Sequence, residues 1–365
     1  MKILIFSSYN DAWNSVRPEG EMFIEMAKLG HDVTIVTQGS AEYVSRFRDN
    51  GIKVIDCYPT KKICLKSIKT LRKELSEHHY DVVYAMNSKT IPNAAFACIG
   101  FKNTKMVTYR GTVGGLYRHD PSAYLTHLHP RVDGVSCVAQ AVTEDVRKHS
   151  WKNPENIVTI YKGHDIAWYQ AQPADLTSID LPDNAFAVIC IANARPSKGV
   201  HVLLESAKHL AELSNLHLLL VGRDMDTDQN LSLAENSSMK ERIHFLGYRK
   251  DVPELLAASK VQVQPSISGE GLPKTIIEAM AMGIPSVVTT TGGGKELLID
   301  GETGFIVPVK DAKAIADKIQ WLYQSETDRQ EMGRKAQQRM IDDFSCRESA
   351  EKHLAFFESL FTHSN

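Results

Sequence analysis

The feature that most constrains this chain is an alternation that occurs twice. Short apolar runs are followed by segments of helical period, once before residue 171 and again after residue 183. In the first series, residues 2–8, 31–37, 53–58, 81–86, 105–111 and 133–138 read as strands of a buried parallel sheet. Helices are predicted between them, at 41–50, 61–77 and 90–100 among others. In the second series, strands are predicted at 185–194, 216–222, 242–248 and 261–265, with a long helical region over 311–340 and a last helix near 346–361. Regular strand–helix alternation predicts an α/β fold of doubly wound parallel sheets. The polar, proline-bearing segment 171–183 reads as a linker, and 365 residues suffice for two domains of ordinary size.

Composition narrows the class. The net charge of −2 divides into +5 over residues 1–170 and −7 over the remainder, so the two halves are expected to meet different partners. Basic and aromatic residues do not interleave, which argues against nucleic acid. No apolar run approaches the ~20 residues of a membrane span, and MKILIFSSYN turns polar too soon for a signal peptide. The six cysteines (Cys57, Cys64, Cys98, Cys137, Cys190 and Cys346) lack C-x-x-C spacing, which favours reduced thiols and a cytoplasmic protein.

The chemistry concentrates in PSISGEGLPKTIIEAMAMGIP, residues 265–285. It reads as strand end, glycine-bearing loop and helix, with Pro273 in the first turn and Gly283 and Pro285 at the close. The amides of Gly271, Leu272, Lys274 and Thr275 would point out of the helix start, where an anion is favoured. Glu270 and Glu278 are eight positions apart, ~12 Å if the spacing were fully helical. Glu278 lies among apolar neighbours and needs a partner, which a ribose diol or a basic side chain could supply. Arg195 and Lys198, in RPSKG after the first strand of the second series, suit a diphosphate: a fork of donors beside a point charge. Asp224, Asp226 and Asp228 read as a solvated loop. Lys62, Lys66, Lys69 and Lys73 recur at helical spacing, either as a solvated face or as a surface for anionic lipid.

Together, S-x-x-x-E-G-x-P-x-x-x-x-E-A-M-A-x-G-x-P, the following GG-x-x-E and DG-x-x-G-F-x-V-P, and R-x-x-K-G resemble the donor site of the retaining glycosyltransferases of family 4. The resemblance implies the GT-B fold, two Rossmann-like domains facing a cleft. The domains would be residues 1–168, joined by a returning helix at about 346–365, and residues 169–345 as the nucleotide-sugar domain. It implies transfer of a sugar from an NDP-sugar to a hydroxyl of a glycan or glycolipid, with retention, in cell-surface polysaccharide or lipopolysaccharide synthesis. Glu270, Lys198 and Arg195 would act in catalysis. Arg195, Lys198, Gly271, Leu272, Pro273, Lys274 and Glu278 would hold the donor, with Glu278 on the ribose and Glu270 on the sugar. No metal or other cofactor is expected, because the cations and helix amides would carry the leaving diphosphate.

The first half departs from the family pattern. Only Gly20 remains of a glycine-rich loop after the first strand, beside Glu19, and both are candidates for the acceptor or sugar side. Arg110-Gly111 stands where many members have His-Gly, so Arg110 is a further candidate, with His119, His127 and His129 in the loop beyond. Lys162 and His164 depart from the N-G-x-D segment that leads out of the domain. Two rival readings remain at this point: a GT-B nucleotide-sugar 2-epimerase, and an inactive sugar-nucleotide-binding protein. The expected location is cytoplasmic, with peripheral contact at the inner membrane face.

Overall fold

The computed structural model describes residues 1–10, 16–268 and 271–362. They form two compact units, residues 1–164 with 344–365, and residues 165–343. In the first, strands β1 (Lys2–Phe6), β2 (Asp32–Thr37), β3 (Lys53–Asp56), β4 (Val82–Ala85), β5 (Lys105–Arg110), β6 (Gly134–Cys137) and β7 (Ile157–Thr159) make a parallel sheet in the order β3-β2-β1-β4-β5-β6-β7. Helices α1 (Arg17–Lys28), α2 (Val44–Asp49), α3 (Leu65–Glu77), α4 (Thr90–Ala97) and α5 (Gln140–His149) connect the strands. In the second unit, β8 (Phe186–Ile191), β9 (Leu216–Val221), β10 (Ile243–Gly247), β11 (Val261–Gln264), β12 (Ser286–Thr289) and β13 (Gly304–Val307) are ordered β10-β9-β8-β11-β12-β13, again parallel. Its helices are α6 (Val200–Ser206), α7 (Asp228–Glu235), α8 (Val252–Ala258), α9 (Lys274–Ala281), α10 (Gly294–Leu297), α11 (Ala312–Gln324) and α12 (Glu326–Asp343).

The last helix, α13 (Cys346–Thr362), belongs to the first unit. Leu354, Phe356, Phe357 and Leu360 join the core that Ile3, Ile5 and Phe23 build around β1 and α1. Buried His353 fixes its position. Nδ1–H donates to the Ser349 carbonyl at 2.8 Å, so Nε2 accepts from the hydroxyls of Ser136 on β6 (3.1 Å) and Tyr84 on β4 (3.3 Å).

Three sequence readings need correction. Residues 171–183 are no loose linker: Ala174, Leu176, Ile179 and Leu181 pack on the face of the second sheet formed by Ile189, Leu219 and Val221. Helix α3 starts at Leu65, not at residue 61, so Lys62 lies outside it. The cause is Asn93, whose amide group donates to the Lys61 and Lys62 carbonyls while its oxygen accepts from the Cys64 amide. Asp228 is not loop but the first residue of α7, where Thr227 caps the Asn230 amide and an acidic residue is favoured. The cysteines carry no disulfide.

Burial lowers the pKa of His353 and of His217, each to about 4. Both are therefore neutral in the fold, whereas the unfolded chain binds protons near pH 6.5. The stability they contribute is complete above pH 6.5 and is lost as pH falls toward 4. His353 alone should cost on the order of 1–2 kcal/mol at pH 5. Thermal unfolding followed by circular dichroism at constant ionic strength should give a lower midpoint at pH 5 than at pH 7.5. An unchanged midpoint would contradict the neutral, buried assignment.

Candidate donor site

The loops after β8, β9 and β10 line an open cavity of about 400 Å³ whose lining residues all belong to the second unit. Ligands of open parallel sheets bind at this carboxyl end of the strands. Ala192 and Asn193 line it from β8, Gly222 and Arg223 from β9, Tyr248 and Arg249 from β10. Lys198 and Thr275, the latter on α9, complete its other side.

Two glycines let these loops pack against one another. Gly199 has φ +66°, and a Cβ there would lie 2.0 Å from the Pro265 carbonyl oxygen. Gly222 has φ +147°, and its Cβ would lie 1.5 Å from the Ala192 carbonyl oxygen. At both points one βα loop touches the backbone of its neighbour, which only glycine permits. Backbone bonds then stitch the motif pieces together. The Ile267 amide donates to the Ser197 carbonyl at 2.8 Å, and the Gly293 amide to the Gly271 carbonyl at 2.9 Å. Segments 195–199, 265–268, 271–275 and 292–294, scattered along the sequence of the second unit, thereby become neighbours.

The sequence candidates distribute as follows. Lys198 is partly buried and lines the cavity. Arg195 is exposed at the start of the same turn, its carbonyl accepting from the Lys198 amide at 2.8 Å. Pro273 is buried and caps α9, and the first helical bonds run from the Ile276 and Ile277 amides to its carbonyl. The amides of Lys274 and Thr275 precede that ladder, as at any helix start. Gly271 and Leu272 are partly buried on the approach to the helix. Glu278 is one turn beyond Thr275 on the same helix face. Its side chain is 15% exposed and paired with Lys274 at 3.2 Å. Burial pushes its carboxyl above the usual range, against the pull of Lys274. Lys274 is half exposed, so this partner can leave or be shared. Glu270 lies outside the described residues.

The first-unit candidates range from buried to exposed. Glu19 is buried and forms an ion pair with Lys162 at 2.6 Å. The Lys162 ammonium also lies 5.0 Å from the centre of the Tyr109 ring. Gly20 packs against the ring of Tyr43, 2.5 Å from where a Cβ would sit. Arg110 ends β5 and donates to the Gly114 carbonyl, while its Nε has no hydrogen-bond partner among the described residues. Burial lowers its pKa, and Asp145 opposes that shift. His127 accepts or donates at Thr108 Oγ1, 3.0 Å away. Burial and Arg110 push it down to about 3, so it is neutral. His129 is buried against Phe96 and accepts from the Arg131 amide. His119 stacks on Tyr117.

Sequence reasoning placed the Thr275 amide at the anion-binding helix start but did not single out Asn193, Arg223 or Tyr248 as cavity residues. Their shared signal is position, at or just beyond the carboxyl ends of consecutive parallel strands or at the start of the following helix.

Comparison with known proteins agrees with this division. Residues 21–168 match the family described as Glycosyltransferase Family 4, and residues 171–339 match Glycosyl transferases group 1. The N-acetyl-alpha-D-glucosaminyl L-malate synthase of Bacillus anthracis is 25% identical over 361 residues, covering 93% of this chain and 91% of that protein. An Escherichia coli UDP-Gal:alpha-D-GlcNAc-diphosphoundecaprenol alpha-1,3-galactosyltransferase is 25% identical over 272 residues, or 70% of this chain and 69% of the relative. Among solved structures, a glycosyltransferase from Rickettsia africae superposes with a TM-score of 0.75 at 20% identity, covering 100% of this chain and 99% of that one. Anabaena HepE in complex with UDP gives a TM-score of 0.73 at 22% identity, covering 98% and 100%. With both halves matched and the two parallel-sheet units in place, the chain belongs to the family 4 glycosyltransferases of GT-B fold.

Proposed function

We propose that this protein transfers a sugar from a nucleotide diphosphate sugar to a hydroxyl of a glycan or lipid-linked glycan, with retention of configuration. The observation that carries the reading is the second-unit cavity, with Lys198 on one wall and the start of α9 beside it. The nucleotide would occupy the cavity, its diphosphate meeting Lys198, Arg195 and the first amides of α9. Glu278 would exchange its partial pairing with Lys274 for the ribose diol. In the transfer the bond from C1 to the diphosphate oxygen breaks, and a bond from C1 to the acceptor oxygen forms on the same face. The acceptor proton passes to the departing phosphate oxygen, so no dedicated base is required. Arg195 and Lys198 stabilise the charge that develops on that diphosphate, and Glu270 would hold the sugar hydroxyls. Cell-surface polysaccharide or lipopolysaccharide assembly fits the named activity of the Escherichia coli diphosphoundecaprenol galactosyltransferase, whereas the Bacillus anthracis relative is named for a malate acceptor. The transferases among them and the family descriptions support transfer, and no observation favours an epimerase or an inactive binding protein.

The first unit is proposed to meet an anionic membrane surface in the cytoplasm. No helix among the described residues is long and apolar enough to cross a membrane. Lys66, Lys69 and Lys73 are exposed on α3, with Lys61 and Lys62 exposed just before it. Ile63 and Leu65, 46% and 71% exposed, stand among these lysines. Basic residues beside exposed apolar ones suit an interfacial contact, at about 1 kcal/mol per lysine near the surface. Glu77 lies 3.8 Å from Lys73 and offsets part of that charge. Arg110 is proposed to act on the donor or acceptor side only through its position at the end of β5.

Three outcomes follow. Glu278→Ala and Lys198→Ala should each weaken NDP-sugar binding in calorimetric titration, by roughly tenfold or more for a lost charge-assisted contact; unchanged affinity in both variants would remove the site assignment. Turnover should survive EDTA, since the cations and helix amides would carry the diphosphate. Loss of turnover in chelator that magnesium or manganese restores would show that a metal does so instead. The protein should sediment with anionic vesicles at low salt and not with neutral ones. Replacing Lys62, Lys66, Lys69 and Lys73 with Gln should reduce that binding while sparing donor affinity. Failure of the wild type to sediment would make α3 an ordinary solvated helix.

A further inference from the structure

One end of the cavity carries a pair that the diphosphate chemistry leaves unused. Arg223, just past β9, lies over the ring of Tyr248, just past β10, with its guanidinium carbon 4.6 Å from the ring centroid. Tyr248 is 61% exposed, so its ring does not serve the core. The two cavity arginines differ in their partners. Arg249 is held by both oxygens of Asp251, at 2.8 and 2.6 Å. Arg223 has no carboxylate partner among the described residues, and no Asp or Glu among them lines the cavity.

The strand order sets the polarity of the cavity. β9 and β10 lie on one side of β8, and β11, which leads to α9, lies on the other. A nucleotide whose diphosphate meets Lys198 and α9 would therefore extend its base toward Arg223 and Tyr248. Arginine offers N–H donors and no acceptor. Stacking on a ring engages the face of the guanidinium and leaves its edge donors unspent. Edge donors match base carbonyls, whereas an exocyclic amino group is best met by a carboxylate.

We propose that Arg223, held in place by Tyr248, selects the base of the donor nucleotide. It favours a base with a carbonyl at pyrimidine position 4 or purine position 6, as in uracil or guanine, over one with an amino group there, as in cytosine or adenine. This inference rests on the donor reading above and extends it to the nucleotide class.

UDP and CDP provide the test, because their bases differ at position 4, a carbonyl against an amino group, with N3 changing from an N–H donor to an acceptor. Calorimetric titration of the full chain should show UDP binding roughly tenfold more tightly than CDP. Arg223→Met, which keeps an apolar stem on an exposed residue, should lower UDP affinity and bring the ratio close to one. Tyr248→Leu should reduce the ratio by releasing the guanidinium. Inorganic pyrophosphate, which reads only the diphosphate end, should bind all three proteins alike, and their thermal midpoints should agree. Equal affinity of the wild type for UDP and CDP, or a preference that survives Arg223→Met, overturns base selection while the donor reading stands. A wild type that binds none of the three probes overturns both.

Discussion

The donor site depends on two places where backbone meets backbone. Gly199 abuts the Pro265 carbonyl, and Gly222 abuts the Ala192 carbonyl. A parallel sheet spaces its strands evenly, and the loops that leave it would splay if every residue carried a Cβ. Removing the Cβ at these points lets the R-x-x-K-G turn settle against the loop after β11, and the loop after β9 against that after β8. The amide of Ile267 then reaches the Ser197 carbonyl, which ties the two loops together beside the cavity. This backbone contact sets the turn that carries Lys198 beside the loop leading to α9.

Charge is managed differently in the two units. In the first, Glu19 and Lys162 satisfy each other in the interior, with Tyr109 covering the ammonium. A buried pair of this kind is costly to break, because either partner alone is left desolvated. In the second, Glu278 is partly buried but its partner Lys274 is half exposed, and desolvation still raises the Glu278 carboxyl. The first arrangement is closed and the second is open to a ligand that satisfies the carboxylate better. That difference is what makes Glu278 the carboxylate we propose for the ribose diol, while Glu19 is paired with Lys162.

Much of the fold was legible because parallel strands buried on both faces leave continuous apolar runs, as in KILIF and LHLLLV. The candidate donor motif stood out because its residues recur at fixed offsets: glycines at the contacts, cations on the turn, a carboxylate one turn into the helix. What escaped was set by tertiary context. Residues 171–183 look polar and proline-broken, yet four spaced apolar side chains dock them on the second sheet. The start of α3 was displaced by Asn93, far along the sequence, whose amide captures the Lys61 and Lys62 carbonyls. Arg223 and Tyr248 are ordinary loop residues in sequence, and only the adjacency of β9 and β10 brings them together.

The central claim is that the nucleotide is held by the loops of the second unit alone. Hydrogen–deuterium exchange of the full chain with and without UDP tests it most directly. Protection should appear in peptides covering 195–199, 222–223, 248–252 and 271–278. Protection confined to peptides within residues 1–164, with the second-unit loops unchanged, would contradict it.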